Sequence, residues 1–437
     1  MNRFRLTDAN RRWWTLGAMC FALAMVMLDN TVTNVALPSI QRSLHASLSG
    51  LEWTVNAYTL SFAVLLVTGG RLGDIFGRRR VFLVGVVAFA VASGLIAAAP
   101  NESWLVAFRA FQGLGAALMM PGTLSIITNA FPPQERGKAI GTRAGVSAIA
   151  LAIGPLLGGW LTEDVTWRAI FIINLPVAVV AVIVTLFAAH ESRDETATRQ
   201  VDIPGIVALT AGLTALVLAL VESNSWGWGS GRVIGLLAVA LVGLTSFGVL
   251  ERRSAAPIVD FAFFRARSFV GANVVAFTIS FAMFAVFFFT TLYLQNVLHY
   301  SPLETGVRFL PSTLVVMVCG PLAGRLSDRI GPRVPLVIGL LLVAASLAWQ
   351  SRIQVDTSYG FLAPAFVLLG AGMGFSMSPM STAAMNAVDR TKAGVASGTL
   401  SMTRMVGSTA FIAAVLIGDI TRPMPRPIRM KAPTRKP

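Results

Sequence analysis

Two ionisable side chains, Asp29 and Arg109, lie well inside apolar runs of this 437-residue sequence. A carboxylate or a guanidinium is costly to bury in such a run, so each marks a candidate functional site. Asp29 could exchange a proton if a cavity opened alternately to the two sides of a membrane. Arg109, followed one turn later by Gln112, must find hydrogen-bond acceptors in the interior of a helical bundle. These residues predict proton chemistry in the apolar part of the protein.

A structural role is the alternative for both charges. Asp29 could accept hydrogen bonds from Asn30, Thr31 or Asn34 and simply join neighbouring helices. Arg109 could likewise tie helices together without taking part in proton transfer. At both positions the two interpretations stay open at the level of the sequence.

A charged turn occurs twice, as GRLGDIFGRRR at residues 70–80 and as GRLSDRIGPR at residues 324–333. Glycine permits the tight reversal between two helices, and a neighbouring arginine or a helix N-terminus can hold the aspartate. One copy alone could be a basic loop that only sets topology, whereas two copies indicate duplicated halves. The candidate gating residues are Gly70, Gly73, Asp74, Gly77, Arg78 and Arg79 in the first copy, and Gly324, Asp328, Arg329, Gly331 and Arg333 in the second.

The composition requires lipid around most of the chain. Hydrophobic residues make up 55% of it, charged residues only 13%, and the mean hydropathy is +0.71, whereas soluble domains carry roughly 25% charge. No alternating strand pattern is present, so the fold class is an all-α membrane protein. Thirteen spans are predicted near residues 14–37, 51–70, 81–99, 104–127, 139–162, 168–189, 204–222, 233–251, 268–294, 305–324, 334–350, 360–382 and 394–417.

The net charge of +15 follows the topology of the chain. With a cytoplasmic N-terminus, most Lys and Arg residues fall in cytoplasmic segments, as the positive-inside rule requires. This placement predicts a multi-pass protein of the inner membrane, in contact with lipid and not with nucleic acid. The exceptions are Arg42, Arg168, Arg232, Arg308 and Arg352 in or beside external loops, with Arg109 and Arg404 predicted inside spans.

The basic tail at residues 421–437 conflicts with that rule, because an odd number of spans would put it outside. We therefore expect that a fourteenth span is missing. A true thirteen-span protein with an external basic tail is the alternative. Prolines throughout the tail predict a disordered segment.

Other chemistry is largely excluded by residue types. No lysine completes a GxxxxGK(S/T) phosphate-binding loop, so ATP hydrolysis is not expected. The three histidines are far apart in sequence, and Cys20 and Cys319 each stand alone, which argues against metal sites and disulfides. No cofactor is expected. A membrane enzyme would need acidic or His/Cys clusters at one membrane face, and none is visible.

Four stretches resemble motifs of the major facilitator superfamily, and particularly of its fourteen-span drug/proton antiporters. The first charged turn is similar to GxxxD(R/K)xG(R/K)(R/K), with Ile75 at a usually basic position. LDNTVTNVALP at residues 28–38, RAFQGLGAAL at 109–118 and GTRAGVSAIALAIGPLLGG at 141–159 resemble the motifs of the first, fourth and fifth spans. Ala150 departs from the last motif, where glycine is usual.

The resemblance implies an organisation into two pseudo-symmetric six-helix halves with two extra central helices. It places an N-terminal bundle at 14–190, two linker helices with cytoplasmic loops at 191–267 and a C-terminal bundle with five visible helices at 268–417. Tails precede and follow at 1–13 and 418–437.

The resemblance also implies roles for particular residues. Arg109, with Gln112, is expected to take part in proton relay. The glycine motif of the fifth span is expected to gate the transport cycle and to favour export over uptake; its residues are Gly141, Gly154, Pro155, Gly158 and Gly159.

The resemblance implies a proton-coupled exporter of lipophilic, cationic compounds that works as a monomer by alternating access. The alternatives are a dedicated metabolite or antibiotic exporter, a proton symporter and, further off, a membrane enzyme. The candidate substrate-binding residues are Asn30, Asn34, Glu222, Asn273, Tyr293, Gln295 and Arg404. Glu222 could instead be a solvated loop acid, and the aromatic residues of the ninth span could face lipid.

Overall fold

The computed structural model describes residues 8–194, 202–254, 261–300, 302–354 and 357–421. Over these ranges the chain forms thirteen long α-helices and no strand, which confirms the all-α fold and its order of spans. Twelve are long and apolar enough to cross a membrane. Their bounds are α1 Asp8–Leu44, α2 Leu48–Phe76, α3 Arg78–Ala97, α4 Glu102–Ala130, α5 Arg136–Trp160, α6 Asn174–Ala188, α7 Ile203–Trp226, α8 Gly231–Arg253, α9 Arg267–Leu292, α10 Pro302–Ile330, α11 Arg333–Gln350, α12 Tyr359–Asn386 and α13 Ala393–Thr421.

The helices end where the sequence supplies caps and glycine turns. Asn101 caps α4 by accepting from the backbone N–H of Trp104. Gly77, with φ of 108°, and Gly331, with φ of 84°, let the chain reverse between α2 and α3 and between α10 and α11. A one-turn helical segment, Ala169–Ile172, leads into α6. The two glycine turns therefore occupy equivalent places in the two halves.

Helices α1–α6 form one bundle and α9–α13 the other, with the linker helices α7 and α8 packed mainly on each other. Gly212 of α7 and Gly243 of α8 bring those two backbones into contact. The halves meet where α5 packs on α10 and α2 packs on α13. The structure is therefore a two-bundle protein with an appended helical pair.

The close contacts between the two halves lie towards one end of the bundle. Gly70 abuts the backbone of Gly394, Gly137 that of Gly324, and Gly141 that of Gly320, with no room for a Cβ atom at these positions. We call the end that carries the α2–α3 and α10–α11 turns the hinge face. Among the described residues, every close glycine contact between the halves lies in the half of the bundle next to it.

Two predicted boundaries differ from the structure. Helix α1 begins at Asp8, so the predicted N-terminal tail is partly helical; Arg12 pairs with Glu135 at 3.0 Å, and Arg11 Nε donates to the carbonyl of Ala188 at 3.0 Å. These polar contacts extend the helix beyond its apolar run. Helix α13 continues to Thr421, into the predicted tail. Residues 422–437 lie outside the described part of the chain.

Candidate functional site

Asp29 and Arg109 form a buried ion pair between α1 and α4. Arg109 Nη1 donates to Asp29 Oδ2 at 2.6 Å, and both side chains are 1% exposed. Gln112 Nε2 donates to the other carboxylate oxygen of Asp29 at 2.9 Å, and Asn174 of α6 donates to the same oxygen at 3.1 Å. The Asp29 carboxylate of α1 is thus held by side chains of two other helices, α4 and α6.

The guanidinium of Arg109 has further partners. Its Nε donates to the carbonyl of Thr54 on α2 at 2.9 Å, and its Nη1 donates to Gln112 Oε1 at 2.6 Å. Its Cζ atom lies 4.3 Å from the centre of the Tyr58 ring, a distance that suits a cation–π contact. Ser93 Oγ of α3 accepts from both Gln112 and Asn174. One buried network therefore links α1, α2, α3, α4 and α6.

The side chains of Asn30 and Asn34, which could have bonded Asp29 in a purely structural role, bond elsewhere. Asn30 donates to the carbonyl of Val26, and Asn34 donates to the carbonyl of Asn30, within the same helix. Asp29 is therefore bonded across helices, and not only within α1.

The first charged turn joins the two halves through a second buried ion pair. Asp74 accepts from the backbone N–H groups of Gly394 at 3.0 Å and Val395 at 2.9 Å, at the start of α13. Arg78 donates to Asp74 Oδ1 through Nε at 2.8 Å and Nη2 at 2.6 Å. Its Nη2 also lies 2.8 Å from the carbonyl of Arg390. This turn therefore caps a helix of the opposite half.

The second turn repeats the cap from the other side. Asp328 accepts from the backbone N–H groups of Gly137 at 2.7 Å and Lys138 at 2.9 Å, at the start of α5. Arg329 and Arg333 are exposed. Among the described residues, no ion pair reaches Asp328. A helix N-terminus alone stabilises this carboxylate.

Two further residues of the first turn, Gly77 and Arg79, contact the last turn of α6 and the segment that follows it. Arg79 Nη2 donates to the carbonyl of Leu186 at 2.9 Å. The Glu191 carboxylate accepts from the backbone N–H groups of Arg79 and Arg80 at the start of α3, and a Cβ atom added to Gly77 would meet that carboxylate. A Cβ atom added to Gly73 would lie 3.8 Å from Arg78, an ordinary van der Waals distance.

The predicted glycines of α5 have three different surroundings. Gly141 abuts Gly320 of α10, so it serves the contact between the halves. Gly154 and Gly158 instead let α5 approach α1 at Thr31 and Val32, directly beyond Asp29. Gly159 has open space, and Pro155 lies between the two packed glycines in the helix. One helix thus contacts both the Asp29 segment and the other half.

Comparison with known proteins identifies the family of this chain. The sequence model described as Major Facilitator Superfamily matches residues 19–412. The chain belongs to this superfamily. It is therefore a transporter and not an enzyme, as the sequence predicted.

Relatives within the superfamily match over nearly the whole chain. The tetracenomycin C resistance and export protein of Streptomyces glaucescens is 39% identical, over 94% of this chain and 77% of its own length. The puromycin resistance protein pur8 of Streptomyces alboniger is 40% identical, over 92% of this chain and 81% of its own length. The human organic anion transporter MFSD10 (TETRAN) superposes with a TM-score of 0.66 over 93% of each chain; at 14% identity it shows the fold alone.

The predicted substrate-binding residues of this transporter do not gather at one place. Asn273 joins α9 to α13, because Thr403 Oγ1 donates to it at 2.9 Å. The Tyr293 hydroxyl lies 2.8 Å from the carbonyls of both Gln354 and Thr357. Gln295 is half-buried in the same π-helical turn that follows α9.

Glu222 is half-buried near the end of α7, and Arg404 lies on α13, where its Nη2 donates to Ser381 of α12 at 2.9 Å. Asn30 and Asn34 follow Asp29 on α1. These positions are too dispersed to form one predicted pocket.

Sequence reasoning missed four polar residues of the interior. Tyr58, Ser93 and Asn174 complete the Asp29 network, and each is a polar residue inside an apolar run. The sequence analysis places only Arg109 and Arg404 inside spans, which is wrong for Arg143. This residue lies within α5, seven residues after Arg136, the first residue of the helix. The predicted fifth span, 139–162, already contained it.

Proposed function

We propose that this chain is a proton-coupled antiporter that exports drug-like compounds by alternating access. The observation that carries the proposal is the buried Asp29–Arg109 pair with its bridging Gln112. An ionisable group inside the membrane region of a transporter is a candidate for coupling to an ion gradient. The names of these relatives, which describe resistance and export, support the direction of transport.

Protonation of Asp29 would replace an ion pair with a neutral contact and so weaken the hold of α4 on α1. Helix α1 contacts α5 where Thr31 and Val32 face Gly154 and Gly158. Helix α5 in turn meets α10 through Gly137 and Gly141 at the hinge face. A proton at Asp29 would therefore act on the contact between the halves through one continuous helix.

The hinge face is proposed to be cytoplasmic, with the N-terminus inside and the protein in the inner membrane. Its loops carry the basic residues that the positive-inside rule assigns to that side. With the hinge face inside, the contact between the halves there would close the transporter to the cytoplasm. Each proton that enters down about 100 mV supplies about 2.3 kcal/mol, apart from any pH difference.

The cargo is proposed to be lipophilic, and the transporter to act as a monomer. The cationic character predicted from the sequence stays a prediction. A dedicated exporter of a single antibiotic is the second candidate, favoured by relatives named for tetracenomycin C and puromycin. Transport of both compounds by this chain would favour the multidrug form.

The test is efflux from proteoliposomes under an imposed pH gradient, with tetracenomycin C, puromycin, fluorescein and rhodamine 123 as probes. Wild-type protein should accelerate efflux of at least one probe when the gradient drives protons against it. Asp29→Asn should lose that acceleration while remaining folded. Glu163→Gln, which removes an exposed carboxylate, is the matched control and should behave as wild type. A pH gradient without effect on any probe would discard the proposal.

A further inference from the structure

The two carboxylate oxygens of Asp29 have different partners. Oδ2 accepts from Arg109 Nη1 at 2.6 Å, which is its only hydrogen bond within the part of the chain that the structure describes. Oδ1 accepts from two amide groups, Gln112 Nε2 at 2.9 Å and Asn174 Nδ2 at 3.1 Å. One oxygen therefore faces a cation, and the other faces two neutral N–H donors.

Further contacts fix the orientation of these two amides. Ser93 Oγ accepts from Gln112 Nε2 at 2.9 Å and from Asn174 Nδ2 at 3.2 Å, while its own hydroxyl donates to the carbonyl of Phe89 at 2.8 Å. The amide oxygen of Gln112 accepts from Arg109 Nη1 at 2.6 Å. A Gln112 amide turned the other way would lose its bonds to both Arg109 and Ser93. The amides therefore present N–H groups, and not acceptors, to Oδ1.

A proton on Oδ1 would disrupt more of this network than a proton on Oδ2. A protonated carboxyl oxygen becomes a donor, so at Oδ1 it would oppose the N–H groups of both Gln112 and Asn174 and break two hydrogen bonds. Buried N–H groups that lose their acceptor are costly. A proton on Oδ2 would break only the bond from Arg109.

Arg109 keeps other partners when that one bond breaks. Its Nη1 still donates to Gln112 Oε1, and its Nε still donates to the carbonyl of Thr54 at 2.9 Å. Its guanidinium carbon lies 4.3 Å from the centre of the Tyr58 ring. Oδ1 of the neutral acid is then a carbonyl oxygen with two lone pairs, so it can keep both of its amide bonds. The network is therefore arranged to accept a proton on one oxygen only.

We infer that Oδ2 is the oxygen of Asp29 that takes the proton, and that Asn174 is a positioning residue that holds Oδ1 as the carbonyl oxygen of the neutral acid. The proton comes from water and adds to Oδ2, which converts the carboxylate into a carboxylic acid and releases Arg109. This inference rests on the proposed function, in which Asp29 is the coupling acid.

Protonation at Oδ2 acts unequally on the helices around Asp29. Helix α4 loses the Arg109 bond to the carboxylate and keeps only the Gln112 bond. Helix α6 begins at Asn174 and packs against α1, and its bond to Oδ1 remains. Helices α1 and α6 therefore stay joined while the hold of α4 on α1 weakens.

The test is infrared difference spectroscopy of the purified full-length protein, comparing acidic with neutral buffer. The carboxylic C=O band of protonated Asp29 is identified as the band that is missing from Asp29→Asn. A C=O group that accepts hydrogen bonds absorbs at a lower frequency than a free one. Asn174→Leu removes one donor to Oδ1 and should therefore move the band to higher frequency. Gln112→Leu removes the other donor and should do the same.

Asn129→Leu is the matched control. Asn129 is half-buried on α4, and its Nδ2 donates to the carbonyl of Ser125 in the same helix at 2.9 Å. This variant should leave the band at the wild-type frequency. A cooperative thermal unfolding transition, followed by circular dichroism, shows which variants are folded. If either Asn174→Leu or Gln112→Leu does not fold, the other provides the test.

An unmoved band in a folded Asn174→Leu or Gln112→Leu variant would overturn the inference. So would a band that moves in Arg109→Lys but not in Asn174→Leu, because Oδ2 would then be the carbonyl oxygen. If no Asp29-dependent band appears at any pH at which the protein stays folded, the inference fails together with the proposed role of Asp29. The expected shift in a protein whose efflux ignores the pH gradient would support the inference and remove only the proposed function.

Discussion

The two charged turns use the same aspartate for the same contact but support it differently. Asp74 and Asp328 each accept two backbone N–H bonds at the start of a helix in the opposite half. Asp74 is buried and also pairs with Arg78, whereas the equivalent place in the second turn is Pro332. Asp328 is half-buried. The shared element is the cap, and the arginine is an addition in the first half.

The two contacts between the halves therefore need not be equally strong. If one partner of a buried carboxylate–guanidinium pair is removed, the other partner stays buried as a charge without a counter-charge. A half-buried carboxylate at a helix N-terminus loses only a cap. We propose that the α5–α10 side of the hinge face opens more readily than the α2–α13 side.

The largest effect is expected for Asp74→Asn, which leaves Arg78 buried without its counter-charge. Removal of one partner of a buried pair costs about 3–5 kcal/mol, so the closed hinge face should open. The measurement is maleimide labelling of a Met380→Cys reporter, at a position in the shared core, in a background without Cys20 and Cys319. Labelling should rise strongly. Unchanged labelling would show that Arg78 finds other acceptors.

Smaller but clear effects are expected from Cβ atoms at the glycine contacts. Gly70→Ala would meet the backbone of Gly394, and Gly324→Ala that of Gly137. Overpacking of this kind costs about 1–3 kcal/mol, so both variants should label faster at the same reporter. Gly73→Ala is the control, because its Cβ would lie 3.8 Å from Arg78. Equal labelling of all three would contradict the tight contact.

Asp328→Asn should weaken closure less than Asp74→Asn does. It removes the charge at a helix N-terminus, for which about 0.3–1 kcal/mol is typical, and strands no buried cation. The same labelling assay compares the two variants directly. A larger effect for Asp328→Asn would reverse the proposed order of the two contacts.

The smallest effect is expected for Arg333→Gln in the second turn. The side chain is exposed, and surface changes of this kind usually stay within about 0.5 kcal/mol. Reporter labelling and the melting temperature of purified protein should match wild type. A marked change in either would give this arginine a partner in another state of the transport cycle.

The sequence predicted the helices well, because the hydropathy of a span and the conformation of a glycine turn both depend on residues that are close together in the chain. It predicted that a neighbouring arginine or a helix N-terminus would hold the aspartate of each turn; the structure uses both for Asp74 and only the helix for Asp328. It marked Asp29 and Arg109 separately but did not pair them. Eighty residues separate the two positions, and only the packing of α1 against α4 brings them together.

Arg143 illustrates why side-chain contacts between helices could not be predicted from the sequence. Its position inside a span was readable, but a charge near the end of an apolar run commonly reaches the membrane surface. Only the tertiary structure shows that its guanidinium donates to Thr123 Oγ1 of α4. The dispersed positions of Glu222, Asn273 and Tyr293 have the same cause, since span membership does not say which side of a helix faces the interior.

A recording of luminal pH during efflux shows whether Asp29 exchanges protons for cargo. Proteoliposomes would contain a trapped pH-sensitive dye and whichever probe compound the wild-type protein transports, with no pH gradient at the start. We expect the lumen to acidify as the compound leaves through wild-type protein, and we expect Asp29→Asn to abolish this acidification. Wild-type efflux at constant luminal pH, or wild-type acidification by Asp29→Asn, would contradict it.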